Sequence, residues 1–166
     1  LAAEPSVLSE FSAEFSAALQ SMAEELLATD LPSAKSALLK ALELDPSSFA
    51  ALCNLGYVYV RENDFPQAIV SYQKAAELQP LQPESFFNLG YIYATTEDFA
   101  QAKQMYARVV KLEPDYLDEA LFNLAIVQEQ LGDRSQCVKN LRRAIDLNPA
   151  NTTAAALLEQ IQQDKE

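Results

Sequence analysis

The stretch Asn54-Leu55-Gly56-Tyr57-Val58-Tyr59 returns further along the chain as Asn88-Leu89-Gly90-Tyr91-Ile92-Tyr93 and, in weaker form, as Asn123-Leu124-Ala125-Ile126. Prolines recur with the same period, at steps of 34, 34 and 35 residues, as Pro46, Pro80, Pro114 and Pro149. A fixed period of this length indicates stacked structural repeats, none of which buries its apolar face alone.

Each repeat divides into two amphipathic helices, because apolar residues recur at i, i+3 and i+4 on both sides of an acidic residue. That residue is predicted to cap the second helix, as Asp30, Asp64, Asp98 and Asp133. The recurring prolines end the second helices, since proline disfavours helical geometry in the residue before it. Where the two helices cross, small residues are predicted to face each other, Gly56 against Ala68 and Gly90 against Ala102.

These residues resemble the tetratricopeptide repeat family, whose signature is a large apolar residue, Leu-Gly, Tyr, then Ala, an aromatic, Ala and a closing Pro. The second repeat carries this signature as Leu52, Leu55, Gly56, Tyr59, Ala68, Tyr72, Ala75 and Pro80. The third repeat is close to it, the fourth is looser, and the first keeps only its second helix. The resemblance implies an all-α, right-handed α-solenoid superhelix of about four tandem helix pairs plus a C-terminal capping helix.

The predicted organisation is a single domain over residues 1–166, with repeats at about 15–48, 49–82, 83–117 and 118–151. An extension of the first helix over 5–14 is predicted from the stripe Val7, Leu8, Phe11, Phe15, Ala18, Met22 and Leu26. A helix over 152–164 is predicted to cap the fourth repeat through Ala155, Leu158 and Ile161. Leu1 in place of Met indicates a processed or excised piece, and leaves cytoplasm and periplasm both open.

Composition disfavours several classes of function. The formal charge is −12, from 24 acidic and 12 basic residues, which disfavours nucleic acids and anionic membrane surfaces as partners. No apolar run is long enough for membrane insertion. The chain has no His, and its 2 Cys lack C-x-x-C spacing, so no catalytic residue, metal site or cofactor is predicted. Cys137 is predicted to be a core residue.

The resemblance places a peptide-binding groove on the first helices of successive repeats. The matching positions form three ladders, which are Cys53, Phe87 and Phe122; Asn54, Asn88 and Asn123; and Tyr57, Tyr91 and Ile126. The asparagines either bond a neighbouring helix or grip the backbone of an extended peptide, since an amide offers a donor and an acceptor. The aromatic residues either line a groove or are buried between helices.

The residues around the groove predict the kind of partner. A carboxylate clamp, which in this family uses Lys and Arg to hold chaperone tails, is disfavoured because the corresponding positions carry no basic residue. Glu84, Glu119 and Glu129 are predicted to rim the groove, which favours a protein or peptide partner with an apolar or basic extended segment, or an amphipathic helix.

Other interpretations stay open at this point. A basic run on one helix is either a solvated outer surface or a patch for an acidic partner, and consists of Arg134, Lys139, Arg142 and Arg143. The N-terminal extension is an alternative assembly element that forms a homodimer. A further alternative is a regulatory region of a larger enzyme or of a membrane-associated complex.

Overall fold

The computed structural model describes the backbone of residues 7–163 and the side chains of residues 11–163. Across residues 7–163 the chain forms nine helices and no strand. The helices are α1 (Val7–Leu26), α2 (Leu31–Leu44), α3 (Phe49–Arg61), α4 (Phe65–Leu78), α5 (Pro83–Thr95), α6 (Phe99–Leu112), α7 (Leu117–Gln130), α8 (Arg134–Leu147) and α9 (Thr152–Gln163). The second, third and fourth helix pairs begin at Phe49, Pro83 and Leu117, and the first pair begins at Val7.

Where the sequence predicts one domain, the helices gather in two compact units, Leu1–Pro80 and Leu81–Glu166. In the first unit α1 packs on α2, α2 on α3 and α3 on α4. In the second unit α5 packs on α6, α6 on α7, α7 on α8 and α8 on α9. Each helix therefore packs mainly on its neighbours in sequence, as stacked repeats require.

The turns between paired helices share an aspartate cap in all four repeats. The side chains of Asp30, Asp64, Asp98 and Asp133 accept a hydrogen bond from the backbone N–H three residues later, so the predicted caps are confirmed. The hydrogen bonds from Ser33 lower the pKa of Asp30. In three of these turns the residue before the Asp has positive φ, and these residues are Asn63, Glu97 and Gly132. A left-handed residue followed by a capping residue reverses the chain within one turn.

Removing one of these caps is expected to destabilise the fold modestly. Asp64→Ala should lower the free energy of unfolding by about 1 kcal/mol, because Gln67 N–H then loses its acceptor. Urea unfolding measures the loss, with Asp64→Asn as the matched control that keeps a side-chain oxygen. Equal losses in the two variants would show that the cap hydrogen bond is not the cause.

The two glycines at the helix crossings, Gly56 and Gly90, lie against aromatic rings. A Cβ added at Gly56 would be 2.7 Å from Cε2 of Tyr72, and one added at Gly90 would be 2.8 Å from Cε1 of Tyr106. The large buried tyrosine of the second helix needs the space that glycine leaves on the first helix. The predicted close approach at Gly56 and Gly90 is confirmed, with these tyrosine rings as the nearest neighbours. The approach of Ala68 and Ala102 to the same crossings stays a prediction.

The first helix turns a different face to the core than its apolar stripe suggests. Ser16, Leu19 and Ala23 are buried, and the Ser16 hydroxyl donates to the backbone carbonyl of Ala41 at 3.0 Å. Gln20 donates to Ser16 and accepts from Ser48, which ties α1 to the start of α3. The predicted stripe lies beside this packed face, and its members Phe11, Phe15, Ala18 and Met22 are exposed.

The last helix covers the end of the fourth repeat. Ala154 and Ile161 of α9 are buried in a cluster with five residues of α7 and α8, which are Leu121, Ala125, Cys137, Leu141 and Ala144. Leu158 packs partly buried against the same cluster, as predicted. Ala155 is exposed, so the inward residue of the first turn is Ala154 instead. Cys137 is fully buried, in agreement with its predicted place in the core.

Candidate functional site

In the first unit the predicted groove residues are buried by, or hydrogen-bonded to, other residues of the same unit. Cys53 is only 4% exposed, so this small side chain is a packing residue and offers no surface to a ligand, a correction to its predicted role. The Asn54 side chain donates to Glu24 Oε1 at 3.4 Å, which joins α3 to α1. Tyr57 is exposed, but its hydroxyl accepts a hydrogen bond of 2.6 Å from Arg61, whose guanidinium lies over the ring.

In the second unit a cleft opens between α5 and the start of α7. It has a volume of about 240 Å³ and is lined by Glu84, Phe87, Asn88, Tyr116 and Glu119. The Phe87 ring meets Tyr116 edge to face at a centroid distance of 5.4 Å, and meets Tyr106 of α6 in the same way at 5.6 Å. These two contacts hold Phe87 in one orientation in the lining of the cleft.

The electrostatic character of the α5/α7 cleft is negative. Two carboxylates, Glu84 and Glu119, line it, and no Lys or Arg does. Burial raises the pKa of Tyr116, and the charges of Glu84 and Glu119 raise it further, because a phenolate beside them would be repelled. The Asn88 amide donates to the backbone carbonyl of Glu84 at 3.0 Å, so one of its two donor hydrogens is used by its own helix.

A second cleft in the same unit lies between α7 and α9. Its volume is about 410 Å³, and its apolar walls are Phe122, Ile126, Ala156 and Leu157. Glu129, Gln130, Thr153 and Gln160 complete the lining. The apolar spacing of α9 predicts a capping role alone, and this wall is a finding of the structure. The signal was the spacing of Thr153, Ala156, Leu157 and Gln160, which share a face at i, i+3, i+4 and i+7.

Glu129, which lines the α7/α9 cleft, has a carboxylate that is only partly hydrogen-bonded. Its Oε2 atom is buried and has no hydrogen-bond partner among the described residues. The pKa of the Cys137 thiol is raised to about 11, first by burial and next by the neighbouring Glu129. A buried carboxylate oxygen without a donor is costly, and a donor supplied by a ligand would remove that cost.

Two predicted groove residues of the second unit line neither cleft. Tyr91 is exposed one helical turn beyond Phe87 on α5, and Asn123 is half-buried on α7. The predicted ladders are therefore only partly brought together: Phe87 and Asn88 line one cleft, and Phe122 and Ile126 line the other.

The basic residues of α8 lie around one hollow. Arg134 lines it together with Lys139, Arg142 and Arg143, and its side chain also donates to the backbone carbonyl of Ile161 in α9. Lys139, Arg142 and Arg143 are exposed around this hollow of about 690 Å³ and form no ion pair with the described residues. Docking of an acidic partner on this face stays a prediction.

The described part of the chain shows neither a metal site nor a membrane span. No group of three or more His, Cys, Asp or Glu side chains within residues 7–163 could hold a metal ion. None of the helices there combines the length and the apolar character that crossing a membrane requires.

Three family models match the chain. The first is described as a TPR repeat and covers residues 56–97. The other two are each described as a tetratricopeptide repeat. One of them covers residues 37–70, and the other matches twice, at residues 83–116 and 118–151. Together these matches span more than half of the sequence, and the chain belongs to the tetratricopeptide repeat family. No curated protein matches the sequence.

The fold is similar to that of several solved structures. PilF of Pseudomonas aeruginosa shares 23% identity at a TM-score of 0.81, over 93% of this chain and 70% of that chain. MamA of Desulfovibrio magneticus RS-1 shares 16% identity at a TM-score of 0.82, over 90% of this chain and 85% of that chain. The first TPR of Spaghetti (RPAP3), bound to the HSP90 peptide SRMEEVD, shares 21% identity at a TM-score of 0.68, over 72% of this chain and 95% of that chain. These likenesses show the fold, an all-α solenoid of tetratricopeptide repeats.

Proposed function

We propose that this protein is a non-catalytic interaction scaffold whose second unit holds a segment of a protein partner in the clefts on either side of α7. The observation that carries the proposal is the pair of clefts itself. Both clefts have aromatic or aliphatic walls and open to solvent, and they share α7 as a common wall. Exposed apolar clefts of this kind mark binding sites for protein segments.

The residues at the rims select the chemistry of the segment. Glu84 and Glu119 line the first cleft, Glu129 lines the second, and neither cleft contains Lys or Arg. Apolar side chains flanked by Lys or Arg complement these surfaces, whereas an acidic segment would be repelled. The solved RPAP3 complex holds the acidic peptide SRMEEVD, and this chain is expected to prefer the opposite charge.

Neutralising the rim of the α5/α7 cleft is expected to weaken binding without disturbing the fold. In Glu84→Gln plus Glu119→Gln, the Kd should rise about fivefold, since two exposed charge pairs contribute about 1 kcal/mol together. The probe is a short labelled peptide of Leu and Lys that includes Pro to prevent helix formation, and the measurement is fluorescence anisotropy. The two substitutions of this variant leave the packing of Phe87 and Phe122 intact.

The matched control is Glu43→Gln plus Glu77→Gln, which changes the net charge equally at exposed positions of the first unit. Equal weakening in the control would mean that the probe senses only the net charge, and the proposal would then fail. Tighter binding of a Leu and Glu peptide of the same pattern would refute the predicted charge preference.

A further inference from the structure

The first helix presents an apolar face that the described part of the protein leaves uncovered. Phe11 is 66% exposed, Phe15 is 60% exposed and Met22 is 46% exposed. With Ala18 between them, these residues follow one another at i, i+4, i+7 and i+11 and so form one continuous stripe along α1. A run of large exposed apolar side chains on one helix face indicates a surface for another protein.

The charged residues of α1 itself have one sign. Glu14 and Glu25 lie three residues after Phe11 and Met22, which places them along the border of the stripe. The first basic residue in the chain is Lys35, so α1 contains no Lys or Arg at all. A partner that covers the stripe must bring its charged groups close to these carboxylates, and complementary groups are cationic.

Neither α1 nor α8 of a second copy supplies such a partner. Pairing α1 with α1 would bring the acidic borders of two stripes together, and like charges placed opposite each other are unfavourable. Helix α8 carries Lys139, Arg142 and Arg143, but its apolar face is already buried through Cys137, Leu141 and Ala144. It could therefore meet the carboxylates of α1 but could not cover Phe11 and Phe15.

We infer that α1 is a docking surface for a basic amphipathic helix of a different protein. The apolar face of that helix covers Phe11, Phe15 and Met22, and its Lys or Arg side chains pair with Glu14 and Glu25. An amphipathic helix against a complementary face is a common mode of recognition, read as anchors at i, i+4 and i+7. This surface belongs to the first unit and is independent of the clefts beside α7.

The test uses the full chain and two labelled probe peptides, a Leu and Lys amphipathic helix and its Leu and Glu counterpart. Binding of the Leu and Lys helix should weaken at least about tenfold in Phe11→Ser plus Phe15→Ser, because both anchors are lost. Glu14→Gln plus Glu25→Gln should weaken binding severalfold and reduce its dependence on salt. Hydrogen exchange should show protection in α1 on binding, and unchanged protection in α7 and α9.

The matched control is Leu81→Ser plus Leu147→Ser, which removes two apolar side chains that are 80% and 55% exposed in the second unit. Equal weakening in this control, or equal binding of the Leu and Glu helix, would overturn the inference. A wild-type dimer that dissociates in the Phe11→Ser plus Phe15→Ser variant would also overturn it, in favour of a second copy. The Glu84→Gln plus Glu119→Gln variant should bind the helical probe normally, so failure of the cleft proposal is recognised separately.

Discussion

Gly90→Val is expected to lower the free energy of unfolding by about 1–3 kcal/mol, the usual cost of overpacking a well-filled interior. A Cβ at this position would lie 2.8 Å from Cε1 and 2.9 Å from Cδ1 of Tyr106. The Tyr106 ring is buried and is held in place by Phe87 on one side, so it cannot swing away. Replacing a helical glycine gains up to about 1 kcal/mol in propensity, which the overpacking exceeds.

Urea unfolding measures this loss, and two further variants identify its origin. In Gly90→Val plus Tyr106→Leu, the smaller partner should make the added cost of valine disappear. Gly132→Ala is the contrasting case, because a Cβ there meets nothing within 4 Å while the backbone has a φ of 73°. A Gly90→Val protein as stable as the wild type would show that the ring can move, against the expectation.

Ile161→Ala is expected to release α9 from the second unit. The Ile161 side chain is buried in the cluster that contains Leu121 and Leu141, and removing such a side chain costs about 2–5 kcal/mol. Because α9 supplies Ala156 and Leu157 to the α7/α9 cleft, the variant should also lose affinity for the non-helical Leu and Lys peptide. Hydrogen exchange of α9 measures the release directly, since a detached helix exchanges far faster than the rest of the unit.

Gln162→Ala is the control for this variant, because Gln162 is exposed on the same helix. It should leave both the exchange rates and the peptide affinity unchanged. If α9 of Ile161→Ala remained protected as in the wild type, the anchoring role assigned to Ile161 would be wrong. If α9 were released and the peptide still bound normally, the α7/α9 cleft would be excluded from the binding site.

The local structure could be predicted in detail because it depends on short-range rules. The aspartate caps and the helix ends before the closing prolines involve atoms only a few residues apart. The burial of Leu38, Leu121 and Leu141 follows from the helical period of apolar residues. The repeat period, and with it the family, could be read from the sequence for the same reason.

The candidate site could be predicted only in part, since side chains from different helices decide it. The position of Phe87 in the lining of a cleft depends on Tyr106 and Tyr116, which lie 19 and 29 residues away in sequence. Cys53 is buried, and Arg134 donates to the backbone carbonyl of Ile161 in α9. Both are equally long-range effects. The periodicity of one helix does not say which of its two apolar faces a neighbour will cover.

The sequence by itself therefore determined the repeat, its helix pairs, its caps and its excess of negative charge, because each is a property of composition or of nearby residues. Only the tertiary structure decided which apolar residues stay accessible. In α1 the small residues Ser16 and Ala23 allow close packing, so the bulkier stripe of Phe11 and Phe15 remains outside. In the second unit α9 leaves one face against the core and one face open, and the open face becomes a wall of the candidate site.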